Sequence, residues 1–142
     1  MSERAVIADT GPLIAFLDKS DSEHQWAESH FKLLPAPFLT CEPVIAEAFY
    51  LLRRIPDGAE QLLQLVRRDL VRIKFSLSSE LDALDGLIRK YQDLPMSLAD
   101  ACLVRMSEQH PSATVFTLDK HFKIYRRNGR QAIPVTMPDA HL

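Results

Sequence analysis

Asp9 and Asp119 each follow a short apolar segment of the chain, at residues 5–8 and 114–117. Such segments are typical of buried strands. In an open parallel sheet, ligands bind beyond the carboxyl ends of the strands. The two aspartates are therefore candidates for one shared site. Each also has a local alternative, because Asp9 could form an Asx turn and Asp119 could cap a following helix.

Glu47 and Asp100 lie in two segments that carry apolar residues at helical spacing. The pattern predicts that both carboxylates lie in or beside the faces that turn inward. A buried, isolated carboxylate is costly, so such a group must be paired, protonated or bound to a cation. The alternative to a cation is a buried ion pair, with Arg53 or Arg105 as the partner.

These four acids form a set of hard oxygen donors without histidine or cysteine. Nearby carboxylates repel one another unless they share protons or hold cations. Hard oxygen ligands favour Mg²⁺ or Mn²⁺ over zinc. Such ions activate water and stabilise charge on a phosphate oxygen. The residue types therefore indicate a metal site suited to phosphoryl chemistry.

The elements that must position these acids alternate along the chain. An α/β architecture with a mainly parallel sheet follows from that alternation. The strands are predicted at residues 5–8, 38–40, 71–75, 114–117 and 133–135, with the third and last at the edges. The helices are predicted at residues 13–17, 22–34 (capped by Ser22), 43–52, 58–68, 79–90, 98–110 and 120–127.

Composition places the chain among ordinary globular proteins. It has 142 residues, of which 46% are hydrophobic and 25% charged, and a formal charge of −2. These values predict a single domain over residues 1–142. The two cysteines lack zinc or redox spacing and are expected to be free thiols in the core. No signal peptide or bilayer-spanning segment is recognisable, so a cytoplasmic location is expected.

Four segments around the acids resemble the motifs of the PIN-domain nucleases. Taken singly these motifs are weak, but all four occur in order across nearly the whole chain. The segments are Asp9-Thr10-Gly11-Pro12-Leu13-Ile14, Pro43-Val44-Ile45-Ala46-Glu47-Ala48, Ser97-Leu98-Ala99-Asp100-Ala101 and Val115-Phe116-Thr117-Leu118-Asp119-Lys120-His121-Phe122.

The resemblance implies a three-layer α/β/α sandwich with a mainly parallel central sheet. It also implies Mg²⁺ or Mn²⁺ dependence and hydrolysis of RNA phosphodiester bonds. Thr10 and Thr117 become candidates for hydrogen bonds around the acids.

The chain departs from the family pattern at one position. Some relatives carry a further acid where this chain has Ser97. We therefore expect one well-held metal on Asp9, Asp100 and Asp119, with Glu47 bound directly or through water.

Length and motif spacing are most similar to the VapC-like toxins of toxin–antitoxin pairs. The likeness implies an RNA substrate and a small antitoxin protein as partners, and a homodimer is expected. For the RNA backbone, Lys120, Lys123 and Arg127 are predicted on one face of the helix after Asp119. The alternative for these three cations is a solvated charged face.

Two other functions compete with a ribonuclease. One is a non-catalytic RNA- or protein-binding module in which the acids are structural. The other is a Mg²⁺-dependent phosphatase with Asp9 as nucleophile. The phosphatase is disfavoured because such enzymes often carry a second aspartate two residues later, where this chain has Gly11.

Overall fold

The computed structural model describes residues 4–139, so residues 1–3 and 140–142 of the predicted single domain lie outside it. Its centre is a five-stranded sheet made of β1 (Val6–Ala8), β2 (Phe38–Thr40), β3 (Val71–Ile73), β4 (Thr114–Phe116) and β7 (Val135–Thr136). The strand order is β3-β2-β1-β4-β7, and every neighbouring pair is parallel. A separate antiparallel hairpin joins β5 (Arg126–Arg127) to β6 (Gln131–Ala132). The predicted parallel α/β fold is thus confirmed.

Six α-helices flank the sheet and carry most of the connections between strands. They are α1 (Thr10–Leu17), α2 (His24–Leu33), α3 (Glu42–Leu52), α4 (Gly58–Arg67), α5 (Leu81–Lys90) and α6 (Leu98–Gln109). Two short 3-10 helices lie at Leu77–Ser79 and Lys120–Lys123. Among residues 4–139, no helix is long and apolar enough to span a bilayer.

The central strands are short and buried on both faces. All three residues of β1 and of β2 are buried, as expected for a parallel sheet covered by helices on each side. Aromatic rings fill the layer beside them, with Phe31 stacked on Phe38 at 4.5 Å between ring centroids. Both cysteines are free and buried in this core, as predicted.

Strands β1 and β4 run side by side, which brings their carboxyl ends together. Ala8 is in register with Phe116, and the Asp9 backbone N–H donates to the Phe116 carbonyl at 2.9 Å. The next residues along the two strands, Asp9 and Thr117, therefore meet at the same edge of the sheet.

Several predicted helix starts are displaced. Helix α1 begins at Thr10, three residues earlier than predicted, because the Asp9 side chain accepts the Thr10 N–H and caps the helix. Helix α2 begins at His24, so the predicted cap at Ser22 is wrong. The segment before α5 begins as a 3-10 turn and not as the α-helix predicted from Ser79.

The predicted helix over residues 120–127 is also wrong. The chain forms only one 3-10 turn, Lys120–Lys123, and then enters the hairpin strand β5. The hairpin requires the turn at Asn128 and Gly129, which adopt positive φ angles of 51° and 86°. Asparagine and glycine tolerate this left-handed region best.

Candidate active site

An open groove of about 470 Å³ lies at the carboxyl edge of β1 and β4. All four predicted carboxylates line it. Its full lining is Asp9, Thr10, Gly11, Ile14, Glu47, Leu51, Pro95, Ser97, Asp100, Leu118 and Asp119. The strand ends supply Asp9 and Asp119, whereas helices α3 and α6 supply the other two acids.

Asp9 is the most enclosed of the four acids, at 7% exposure. Its Oδ1 accepts the Thr10 backbone N–H at 2.7 Å, and its Oδ2 accepts the Thr117 hydroxyl at 2.6 Å. Burial raises the Asp9 pKa from 3.8 to about 6, against the lowering effect of these two hydrogen bonds. The charges of Asp100 and Asp119 are smaller contributions to the same rise. The carboxyl group therefore lies in surroundings that disfavour its negative charge unless a cation is near.

Asp100 lies in the first turn of α6, at 8% exposure. Its Oδ2 accepts the Ser97 backbone N–H at 3.0 Å, while the Ser97 hydroxyl accepts the Asp100 N–H at 3.0 Å. This reciprocal pair is a capping box, which fixes the helix start and the carboxylate together. Burial raises the pKa of Asp100, the Ser97 hydrogen bonds lower it, and the charges of Asp119 and Glu47 raise it further.

Asp119 caps the 3-10 helix that follows β4. Its Oδ1 accepts the His121 backbone N–H at 2.9 Å and lies 2.8 Å from His121 Nδ1. Its own N–H donates to the Thr117 hydroxyl at 2.9 Å. Asp119 thus caps the following helix, as its local alternative predicted, whereas Asp9 caps α1 in place of the predicted Asx turn. Both side chains still line the groove.

Glu47 is exposed at the rim of the groove, so it lies beside the inward face of α3 and not within it, the second of the two positions that the sequence pattern allowed. The buried face of α3 is formed by Val44, Ala48 and Leu52. Glu47 lies about 100° from Ala48 around the helix, because successive residues turn by that angle. It lines the groove together with Leu51, one turn later.

The alternative of buried ion pairs does not hold for these acids. Arg105 binds Glu80 at 2.6 Å and Glu108 at 3.0 Å. Arg53 stacks over the ring of Tyr50 and donates to its carbonyl. Within residues 4–139, no lysine or arginine forms an ion pair with any of the four acids that line the groove.

The donor set suits a hard divalent cation, but it is not a finished coordination sphere. In the described part of the chain, no three histidine, cysteine or acidic side chains are grouped closely enough to hold a metal ion. Asp100 Oδ1, Asp119 Oδ2 and both Glu47 oxygens make no hydrogen bond to residues 4–139. These oxygens are free to turn toward a cation, which would also relieve the repulsion between the charges.

Thr117 and Thr10 both bind Asp9, but through different groups. The Thr117 hydroxyl links Asp9 to the Asp119 backbone, which agrees with its predicted role. Thr10 instead reaches Asp9 through its backbone N–H. Its buried hydroxyl has no hydrogen-bond partner within residues 4–139, and Thr10 lines the groove. A buried hydroxyl without a partner is costly, so this atom fits a ligand or water bound in the groove.

Arg127 is not a surface cation beside Lys120 and Lys123, so that part of the prediction is wrong. It lies in β5 at 4% exposure and donates to the carbonyls of Ser107 and Pro111, both at 2.8 Å. The guanidinium thereby fastens the hairpin to the end of α6 and is not available to a phosphate. Lys120 and Lys123 are exposed beside Asp119.

Three residues near the acids are not identified by the sequence pattern. In the sequence, Ser97 is notable only because some relatives carry an acid at its position. Its spacing to Asp100, Ser97-x-x-Asp100, is nevertheless that of a capping box. His121 is one of several scattered histidines in the sequence, yet it contacts Asp119. Tyr125 is wholly buried with its hydroxyl 3.5 Å from Asp100 Oδ2, a contact for which the sequence gives no local signal.

Comparison with known proteins gives a family model and a curated relative that match this chain. The family model described as PIN domain matches residues 6–128, a span that contains all four acids. The curated protein "Ribonuclease VapC26" from Mycobacterium tuberculosis is 31% identical over 131 residues, covering 87% of this chain and 94% of that protein.

A solved structure supports the fold independently. The crystal structure of Mycobacterium tuberculosis VapC20, described as a Sarcin-Ricin loop cleaving toxin, superposes with a TM-score of 0.71. The superposition covers 81% of this chain and 90% of the VapC20 chain. The sequence identity is 19%, so the likeness concerns the fold alone.

Proposed function

Because the chain belongs to the PIN-domain family, we propose that it is a divalent-metal-dependent endoribonuclease whose active site is the groove described above. The observation that carries the proposal is that Asp9, Glu47, Asp100 and Asp119 line one groove, and that no lysine or arginine of residues 4–139 pairs with them. A set of clustered, unneutralised carboxylates destabilises a fold unless it binds a cation.

In this proposal Asp9, Asp100 and Asp119 hold Mg²⁺ or Mn²⁺. Glu47, at the exposed rim, takes part directly or through water. When bound, the cation supplies water activation and charge stabilisation at the scissile phosphate. The Thr117 hydroxyl keeps Asp9 oriented, and the Thr10 N–H fixes its other oxygen. Lys120 and Lys123 contact the RNA backbone beside Asp119.

The proposed biological setting is a toxin–antitoxin pair. The curated relative is a ribonuclease named as a VapC protein, and the structural neighbour is named a toxin. These names support the proposal that this chain is the toxin of a toxin–antitoxin pair, inhibited by a small antitoxin protein. A cytoplasmic location is part of the same proposal. A homodimer is the expected assembly.

Cleavage of a mixed RNA panel tests the proposal. Wild type, Asp100→Asn and Asp18→Asn are compared in Mg²⁺, Mn²⁺ or EDTA. Asp18 is the matched control, because it is a similarly buried aspartate that bonds Ser20 at the far end of α1. We expect cleavage by wild type and Asp18→Asn with either metal, and none with EDTA or with Asp100→Asn. Equal cleavage by Asp100→Asn would reject the proposed site.

An RNA-binding module without catalysis makes a different prediction in the same assay. The wild type would retain RNA on a filter but leave every RNA intact in all metals. Such a result, from protein shown to be folded by circular dichroism, would favour the binding function over the enzyme.

A further inference from the structure

Tyr125 is a wholly buried tyrosine whose hydroxyl contacts Asp100, one of the acids that line the groove. Its oxygen lies 3.5 Å from Asp100 Oδ2, at the outer limit of hydrogen-bond distance. A buried hydroxyl needs a partner, because leaving it without one costs free energy. Asp100 is the hydrogen-bond partner of this hydroxyl within residues 4–139. The contact is longer than the usual length of an O–H···O hydrogen bond, about 2.5–3.0 Å, and it is the one polar contact of this hydroxyl within residues 4–139.

The ring of Tyr125 is fixed by an aromatic cluster. It meets Tyr91 edge-on at 5.1 Å and Phe122 at 5.3 Å between ring centroids. Its backbone N–H donates to the His121 carbonyl at 2.9 Å. The hydroxyl is thus presented to Asp100 by a side chain with little freedom to move.

The chemistry of the side chain fits this role. A tyrosine hydroxyl carries one O–H donor, which can be directed at a carboxylate oxygen.

We propose that Tyr125 is a positioning residue, whose hydroxyl orients Asp100 by holding Oδ2 together with the Ser97 N–H and leaves Oδ1 free for the cation. This inference rests on the proposed function, since it assigns Tyr125 a role at the same metal site. Tyr125 contacts Asp100 Oδ2 at 3.5 Å from outside the groove, a longer counterpart of the 2.6 Å hydrogen bond from Thr117 to Asp9 Oδ2. Such outer partners fix the orientation of metal ligands.

Calorimetric titration of Mn²⁺ into metal-free protein tests the inference without relying on activity. Wild type is compared with Tyr125→Phe, which keeps the ring, and with Tyr91→Phe as the matched control. The Tyr91 hydroxyl lies in the same cluster but accepts the Arg126 backbone N–H at 2.7 Å. We expect Tyr125→Phe to weaken Mn²⁺ binding by about tenfold, the lower end of the effect of losing such a partner. Tyr91→Phe should bind Mn²⁺ as wild type does.

Kinetics on the RNA substrate should also distinguish Tyr125→Phe from Tyr91→Phe. In Tyr125→Phe, kcat should fall while the KM for RNA stays unchanged, because the RNA contacts are intact. If wild type binds Mn²⁺ and the two phenylalanine variants bind it equally well, the role of Tyr125 is overturned and the proposed function stands. If wild type binds no Mn²⁺, the proposed metal site itself fails.

A spectroscopic measurement covers the case in which Tyr125→Phe does not fold. The chain has three tyrosines, so the double variant Tyr50→Phe with Tyr91→Phe leaves Tyr125 as the only one. Mg²⁺ binding at Asp100 should shift the near-ultraviolet tyrosine band of this protein. A band unchanged at saturating Mg²⁺ would contradict the proposed contact.

Discussion

The Thr117 hydroxyl donates a 2.6 Å hydrogen bond to Asp9 Oδ2, joining the ends of two neighbouring strands. The same hydroxyl oxygen accepts the Asp119 N–H at 2.9 Å. One small side chain therefore sets the relative position of two of the proposed metal ligands.

Replacing Thr117 by valine keeps the shape and removes both hydrogen bonds. We expect kcat to fall by about 10- to 100-fold, the usual cost of losing an outer hydrogen-bond partner. Thr114→Val is the control, because its hydroxyl pairs with Thr136 at 2.8 Å at the opposite end of the same strand. Rates measured on one RNA should separate the two variants. Equal losses in both would mean that the effect comes from the strand and not from the site.

Gly11 allows helix α1 to approach Leu118, the neighbour of Asp119. A Cβ atom at Gly11 would lie 3.1 Å from Leu118 Cδ1, closer than normal contact. Gly11→Ala should therefore displace Leu118 and reduce kcat/KM by about tenfold, since small misplacements near reacting groups are costly.

Gly86→Ala is the control for that variant. A Cβ at Gly86 meets no atom of the described structure within 4 Å, and the residue lies in α5. This change should stabilise the protein by about 0.5–1 kcal/mol and leave cleavage unchanged. If Gly11→Ala kept full activity, the contact with Leu118 would have no role in placing Asp119.

The raised pKa of Asp9 predicts how metal-free stability depends on pH. The value is 3.8 for a free carboxyl and about 6 in the fold. Below pH 3.8 the carboxyl group is protonated in both the folded and the unfolded protein, so it does not change the free energy of unfolding. Above about pH 6 it is ionised in both, and the full cost of burying its charge lowers the free energy of unfolding. Since the pKa rises from 3.8 to about 6, the ionised group destabilises the metal-free fold at neutral pH by up to about 3 kcal/mol.

Asp9→Asn should therefore raise the free energy of unfolding in EDTA at neutral pH by about 1–3 kcal/mol. The gain should shrink as the pH falls through the range from 6 to 3.8. Asp18→Asn should have the opposite sign at neutral pH, because hydrogen bonds from Ser20 lower the pKa of Asp18. Urea melts at several pH values measure both variants. A destabilised Asp9→Asn at neutral pH would contradict the account.

Lys120 and Lys123 are exposed cations one and four residues after Asp119. Replacing either by glutamine should raise the KM for RNA and leave kcat unchanged. The slope of log(1/KM) against log salt should fall by about 0.7 for each RNA phosphate that no longer has a lysine beside it. Lys32→Gln, on α2, is the control. A salt dependence that matches wild type in both site variants would remove these lysines from the RNA interface.

The strand-end acids were predictable because their neighbours in sequence determine their positions. Apolar segments give β1 and β4, and the parallel order then brings Asp9 and Asp119 to one edge. The helix faces were harder to predict. Helix α6 is buried over most of its surface, so apolar spacing could not show which way Asp100 points.

The remaining errors involve contacts between distant residues. Arg127 is buried because its guanidinium meets two carbonyls near the end of α6, a partnership that local spacing does not reveal. Tyr125 reaches Asp100 across 25 positions of the chain for the same reason. The pattern placed Glu47 in or beside the inward face of α3, and the packing of the helix through Val44, Ala48 and Leu52 leaves it beside that face.

The anomalous signal of Mn²⁺ in a soaked crystal tests most directly whether Asp9, Asp100 and Asp119 bind one cation. We predict a peak in the groove bounded by Asp9, Asp100 and Asp119, at about 2.2 Å from an oxygen of each, and no such peak in Asp100→Asn. A groove without a peak at saturating Mn²⁺, or Mn²⁺ bound only at acids outside the groove, would contradict the proposed active site.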